Sequence, residues 1–364
     1  MEYADDCEQA AAVRDALVAE SFENVVVGIS GETMYVDYEN RRFRSQLDGL
    51  GVAVARAVQV SDATITRLIV TPKLEDVPQL SLSADVEALV EFLANPGQPP
   101  AGVAVTPYFS GPYPADTVFV EEGNKKPGGG EIQLRLIHAF EITRPGEPTF
   151  ASKTGLGLEE RLFTNRGTSL RFRQDWPAHN DLTDKTDPYS RDALLHHIND
   201  LNPNTYLLAS AGYYGNETYG GMAQASHYFD EGRYRVGGRF GYTIDESTGA
   251  DDTDDSQALG ELAYYEPCLD WEVTALGGQF MEGDQGFRLE STRYFGPTSL
   301  TFFAYDTDDS EAHGGFRIFV PLPWYSEARH DNWRAVGSPD FAFQYRTDSD
   351  PSARVMQPGV DIST

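Results

Sequence analysis

From residue 131 onward the chain alternates. Ile132, Leu134, Leu136, Phe140 and Ile142 fall on one face of an extended segment, and Gln133, Arg135 and Glu141 fall on the other. Leu170 and Phe172 oppose Arg171 and Arg173. Tyr234, Val236, Phe240 and Tyr242 oppose Arg235, Arg239 and Thr243. Phe287 and Leu289 oppose Arg288 and Glu290, and Phe316, Ile318, Val320 and Leu322 oppose Arg317. Side chains of a strand point to opposite faces with a period of two, so each segment carries one apolar and one polar face.

About twelve such strands are expected, near 131–143, 151–163, 168–176, 190–198, 205–215, 219–229, 234–244, 257–267, 270–281, 285–296, 298–307 and 312–323. Most have the roughly 9–11 residues that a tilted strand needs to cross a bilayer, whereas strands of soluble sandwiches usually have about 5–6. The turns fall into two alternating sets. One is short: 230–233, Leu269, and Gly296-Pro297. The other is more acidic: 245–256, 282–284 and 308–311. Outer-membrane barrels have short periplasmic turns and longer outer loops. In lipid every backbone N–H and C=O must pair within the protein, and an open amphipathic sheet would leave two bare edges. The expected fold is therefore mainly β: an antiparallel transmembrane β-barrel of 131–323, about 12 strands (range 12–14), in a Gram-negative outer membrane.

Residues 1–94 read differently. A helix is expected at about 9–20, strands at 24–29 and 33–38, and a helix through Leu47, Leu50, Val54 and Val58. Strands at 64–70 and 79–83 follow, then a helix through Val86, Leu89, Val90 and Leu93. This predicts a small periplasmic α/β domain. A Pro/Gly-rich linker, 95–130, joins it to the barrel, and 324–364 is expected as a C-terminal periplasmic tail.

The formal net charge of −29 argues against nucleic acid as a partner. No stretch approaches 18 consecutive apolar residues, which excludes a transmembrane helix but not barrel strands. Cys7 and Cys268 do not make a disulfide framework. Residues 1–20 show no basic and apolar leader pattern, and Ala4-Asp5-Asp6-Cys7 is not a lipobox.

Inside the barrel the polar face offers Arg135, Arg171, Arg173, Arg235, Arg239, Arg288 and Arg317 with Glu141, Glu159, Glu261, Glu272 and Glu290 as lumen-lining candidates. They could form a charged path for a polar polymer, or an Arg–Glu lattice bracing a filled interior. No carboxylate pair stands out by spacing as an acid/base couple, and the expectation is that the chain is not an enzyme. Neighbouring His196 and His197 point to opposite faces, which suits no metal. The Asp-rich runs lack the spacing of a calcium loop, and Gly128-Gly129-Gly130 lacks the context of a phosphate loop. No cofactor is expected. Arg41 and Arg42, in an expected turn, are candidates for docking a partner.

Several stretches resemble the YjbH/GfcD family of exopolysaccharide and capsule-associated outer-membrane proteins. They are Ser21-Phe22-Glu23-Asn24-Val25 and the run from Val36 to Arg44, then Ala211-Gly212-Tyr213 leading to Tyr219-Gly220-Gly221. Gly277-Gly278-Gln279-Phe280 with Gly283-Asp284-Gln285-Gly286, and the run from Gly314 to Leu322, complete the set. The resemblance implies a role in polysaccharide biosynthesis or export, with periplasmic or outer-membrane export components, polysaccharide and the outer-membrane bilayer as partners. The alternatives are a structural or adhesive barrel without transport, and a secreted carbohydrate-binding or carbohydrate-active β-protein.

Overall fold

The computed structural model describes residues 2–43, 45–95, 102–106, 111–126, 128–141, 151–181, 186–215, 217–245, 253–308, 310–322, 327–330, 332–338, 340–346 and 355–356. The chain divides into two compact units, one built mainly from Met1–Pro127 and the other from most of Gly128–Thr364.

The first unit runs α1 (Glu2–Ala19), β1 (Glu23–Ser30), β2 (Thr33–Glu39), α2 (Gln46–Val60), β3 (Arg67–Leu74), β4 (Val77–Pro78), β5 (Ser81–Asp85), α3 (Val86–Ala94), β6 (Val103–Thr106) and β7 (Val118–Phe119). Its sheet has the order β6-β5-β3-β2-β1-β7, with β4 on β3. β2 and β3 are parallel because α2 forms the crossover between them. Helix α2 starts at Ser45, whose side chain accepts hydrogen bonds from the backbone N–H groups of Leu47 and Asp48. Its Leu50, Ala53, Val54 and Ala57 recur at helical spacing and are buried against Val13 and Leu17 of α1 and Val27, Met34, Val36 and Val70 of the sheet.

Two expectations are corrected at this point. Helix α1 begins well before residue 9. The stretch 95–130 is more than a linker: β6 pairs with β5, β7 pairs with β1, and Val25 bridges Gly123. Both edges of the sheet had backbone groups to satisfy. A proline-rich chain can serve there where its prolines fall outside the paired residues.

The second unit contains β8 (Gly129–Glu141), β9 (Ala151–Asn165), β10 (Thr168–Asn180), β11 (Tyr189–Asn202), β12 (Thr205–Tyr213), β13 (Thr218–Phe229), β14 (Tyr234–Asp245) and β15 (Thr253–Glu266). It continues with β16 (Trp271–Gln279), β17 (Gln285–Phe295), β18 (Thr298–Thr307), β19 (Ser310–Pro321), β20 (Glu327–His330), β21 (Trp333–Val336) and β22 (Asp340–Arg346). They form one 15-stranded sheet in the order β20-β21-β8 through β19-β22. From β8 to β19 the sheet is an antiparallel meander whose strands fall where the alternation put them. Its connections alternate along the chain. One end carries 166–167, 203–204, 230–233, 267–270 and 296–297. At the last of these, Gly296 takes a left-handed φ of 60° before Pro297. The other end carries the alternate connections, of which 280–284 lies wholly among the described residues.

The stretch 324–364 is not simply a tail. Phe341, Phe343 and Tyr345 alternate within β22, which pairs with β19. β21 pairs in parallel with β8, Trp333 opposite Gly130. Closure, too, differs from expectation. Among the described residues the hydrogen-bonded order ends at β20 and β22 and does not return on itself. The two flanks nevertheless meet, the rings of His138 on β8 and Phe341 on β22 lying 5.3 Å apart.

Candidate functional site

The second unit turns its charged side chains inward and leaves many large apolar side chains exposed on its outer face. On β14, Arg235 and Thr243 are buried while Tyr234, Val236, Phe240, Tyr242 and Ile244 are exposed. Arg235 is 7% exposed and Phe240 58%. The same inversion puts Leu170 outward and Arg171 inward on β10, and leaves Phe287, Leu289 and Phe302 exposed. In water this arrangement is wrong on both faces, since buried charge costs free energy unless paired and exposed apolar area forgoes burial. The buried arginines are stable because cross-strand register supplies carboxylates.

Three clusters result. In the first, Glu159 on β9 accepts from Arg135 at 2.9 Å and Arg161 at 2.6 Å, and lies 3.6 Å from Arg173. On β11, Asp192 accepts from Arg171 at 2.9 Å and lies 3.6 Å from Arg173. Lys153 reaches Asp175 at 2.8 Å beside them. In the second, Glu261 on β15 bridges Arg235 at 2.8 Å and Arg239 at 2.9 Å, and Glu272 lies 3.6 Å from Arg235. In the third, Glu290 on β17 holds Arg288 at 2.5 Å and lies 3.5 Å from Arg317.

All seven candidate arginines thus lie in these clusters with Glu159, Glu261, Glu272 and Glu290. The side chain of Glu141 lies outside the described residues. Lys153, Asp175 and Asp192 join the clusters, and Arg334 and Glu131 form a separate pair. Adjacent Leu194 and Leu195 hid the phase of β11 in the sequence. Leu194 is buried with Asp192 and His196, whereas Leu195 is exposed. His197 points away from His196, contacting Thr168 at 2.8 Å.

The docking candidates come out differently. Arg41 is not exposed: its side chain is 12% accessible and pairs with Glu39 at 3.2 Å and Glu23 at 3.4 Å. An internal pair inside the first unit took it out of the turn surface. Arg42 stays partly accessible but is held by Glu20, donating to its carboxylate at 2.9 Å and its backbone carbonyl at 2.7 Å.

Where β12, β14 and β16 end, beside the first half of β10, the second unit lines a cavity of about 860 Å³. Arg171, Arg173 and Arg191 stand on one wall. Asp245, Asp254, Asp255 and Glu282 stand on another, and Tyr214, Thr218, Thr243, Ser256 and Gln279 complete the lining. Asp255 is fixed by accepting the Glu282 backbone N–H at 2.6 Å. Among the described residues no group of three or more His, Cys, Asp or Glu has a metal-binding arrangement.

No family model matches the chain, and no curated protein matches it. Among solved structures, the chain is similar to OmpT (in-vitro folded), an outer membrane protein of Vibrio cholerae in its trimer form. The TM-score is 0.29 and the identity 11%, over 65% of this chain and 94% of that one. A loop L8 deletion mutant of the same protein gives 0.28 and 12%, over 61% and 94%.

The expectation that the chain is not an enzyme is withdrawn. It stood on the absence of a distinctive carboxylate spacing. Strand pairing nonetheless gathers Glu159, Asp175, Asp192, Lys153 and four arginines into one buried cluster that spacing does not reveal, and the OmpT likeness gives the exclusion no support.

Proposed function

We propose that the second unit is an outer-membrane β-barrel with a polar, ion-paired interior, and that it serves in the biosynthesis or export of an extracellular polysaccharide. One observation carries the membrane reading: the buried arginines and exposed phenylalanines of β10 to β18. A β-sandwich of a secreted protein would bury Tyr242 and Phe287 between two layers, but they are 40% and 55% exposed. Lipid contact gives those side chains an apolar solvent, and the polar interior needs its own counter-charges, which the three clusters supply. The seam at His138 and Phe341 is where the sheet would close. The short turns would face the periplasm, so the chain would enter β8 from that side.

The polysaccharide role rests on the sequence resemblance to the YjbH/GfcD family, together with the cavity. Tyr214, Thr218, Thr243, Ser256 and Gln279 offer hydroxyl and amide groups along its wall, and such groups suit a hydroxyl-rich polymer better than an apolar one. The pairing of the interior arginines favours a braced wall over a continuous basic path. Membrane fractionation and heat-modifiable gel migration test the barrel. Deleting the gene and measuring extracellular polysaccharide tests the role. Unchanged polymer, with the protein present in the outer membrane of the parent strain, would leave a structural or adhesive barrel instead.

A further inference from the structure

The inner face of the second unit buries apolar side chains beside its paired charges, among them Leu194, Ile198, Leu208 and Met222. Leu259, Phe280, Phe303 and Tyr305 form a buried apolar cluster on the inner side, and Phe280 is wholly buried. A water-filled barrel would gain nothing by turning such residues inward, because apolar area facing water costs free energy in proportion to its extent. What covers them comes from far along the chain. Val355 packs on this cluster. Next to it, Met356 is 6% exposed, and its backbone N–H donates to Gln257 Oε1 at 3.0 Å. Gln257 is itself fully buried on β15. Across from it Gly241 on β14 leaves room for the thioether: a Cβ at that position would come within 2.4 Å of Met356 Sδ. Val355 and Met356 also line that cavity.

We propose that Val355 and Met356 form a plug seated in a built socket inside the barrel, closing the passage on the far side of that cavity. The socket recognises an extended peptide through one backbone hydrogen bond to Gln257, a methionine slot at Gly241 and an apolar shelf for the preceding side chain. Its ligand is the chain's own segment, and transport requires that segment to leave. This inference rests on the barrel reading above.

The test is conductance of the full chain in planar bilayers, after heat-modifiable migration has shown that each sample is folded. Wild type is expected to conduct weakly. Met356→Asp, which puts a charge on the shelf, and Gly241→Leu, which fills the slot, are each expected to raise the conductance several-fold. A second measurement needs no variant: in folded wild type, Met356 should oxidise many-fold more slowly with peroxide than in the heat-unfolded chain. A folded wild type that conducts like the two variants, or a Met356 oxidised as fast as in the unfolded chain, overturns the plug and leaves the barrel standing. Failure of wild type to form a heat-modifiable, bilayer-inserting species overturns both.

Discussion

Glu261 lies directly opposite Gly237 across the β14–β15 ladder, midway between Arg235 and Arg239. Because Gly237 has no side chain, one carboxylate reaches both guanidinium groups. A Cβ at Gly237 would come within 2.8 Å of the Ala225 carbonyl and 3.7 Å of the Glu261 Cβ. Removing one member of a buried ion pair strands the charge left behind, at a cost of about 3–5 kcal/mol. Glu261→Gln should therefore destabilise the second unit by roughly that amount. The measurement is the urea midpoint of the folded, heat-modifiable band. A midpoint equal to wild type would mean that the arginines are neutralised by other groups or by water.

The outward face makes a second prediction. Phe240 is 58% exposed near the middle of β14. If lipid surrounds it, Phe240→Arg should cost about 2–4 kcal/mol at mid-bilayer depth and less toward either interface. The readout is folding yield and stability in phospholipid vesicles. An aqueous surface would tolerate the same change, so an unaltered protein would speak for a secreted β-protein.

The first unit carries a pH dependence. The Asp37 carboxyl is pushed up to about 6, chiefly by burial, against the pull of Lys73 and the hydrogen bond from Tyr113. A folded-state value above the unfolded one means that the native unit holds its proton longer. Stability should then be highest at acidic pH, falling as pH rises from about 4 to 6 and staying low above, by up to about 3 kcal/mol. Hydrogen exchange of β1 to β3 in the full chain reads this out. Asp37→Asn should flatten the profile and slow exchange at neutral pH. A flat wild-type profile would show that the carboxyl is solvated.

A smaller effect is expected at the start of α2. Ser45 accepts the backbone N–H of Leu47 at 3.0 Å and of Asp48 at 3.4 Å. Ser45→Ala should cost about 1 kcal/mol, seen as faster exchange in the first turn of α2 with the second unit unchanged.

Much of this architecture was legible because of period two. Arg235 and Arg239 sit among Tyr234, Val236, Phe240 and Tyr242, so the phase of β14 could not be mistaken. Phase failed where both faces look alike, as at Leu194 and Leu195, and Asp192 was missed with it. Short strands failed for another reason. β7 is two residues long, carries little pattern of its own, and exists because an edge needed a partner. Arg41 was misjudged because two carboxylates on β1 and β2 are brought beside it only by the fold. The socket at Gly241 and Gln257 had no sequence signal, since it joins positions about a hundred residues apart.

The ladder between β21 and β8 is parallel, whereas β8 to β19 run antiparallel, each strand joined to the next by a hairpin. Hairpins can zip as the chain emerges, but β8 waits for residues roughly two hundred positions later. Nascent protein should therefore pass through a stage with one unsatisfied flank, the state most exposed to a chaperone or to pairing with another molecule. Assembly of this wall would then be timed by its last forty residues.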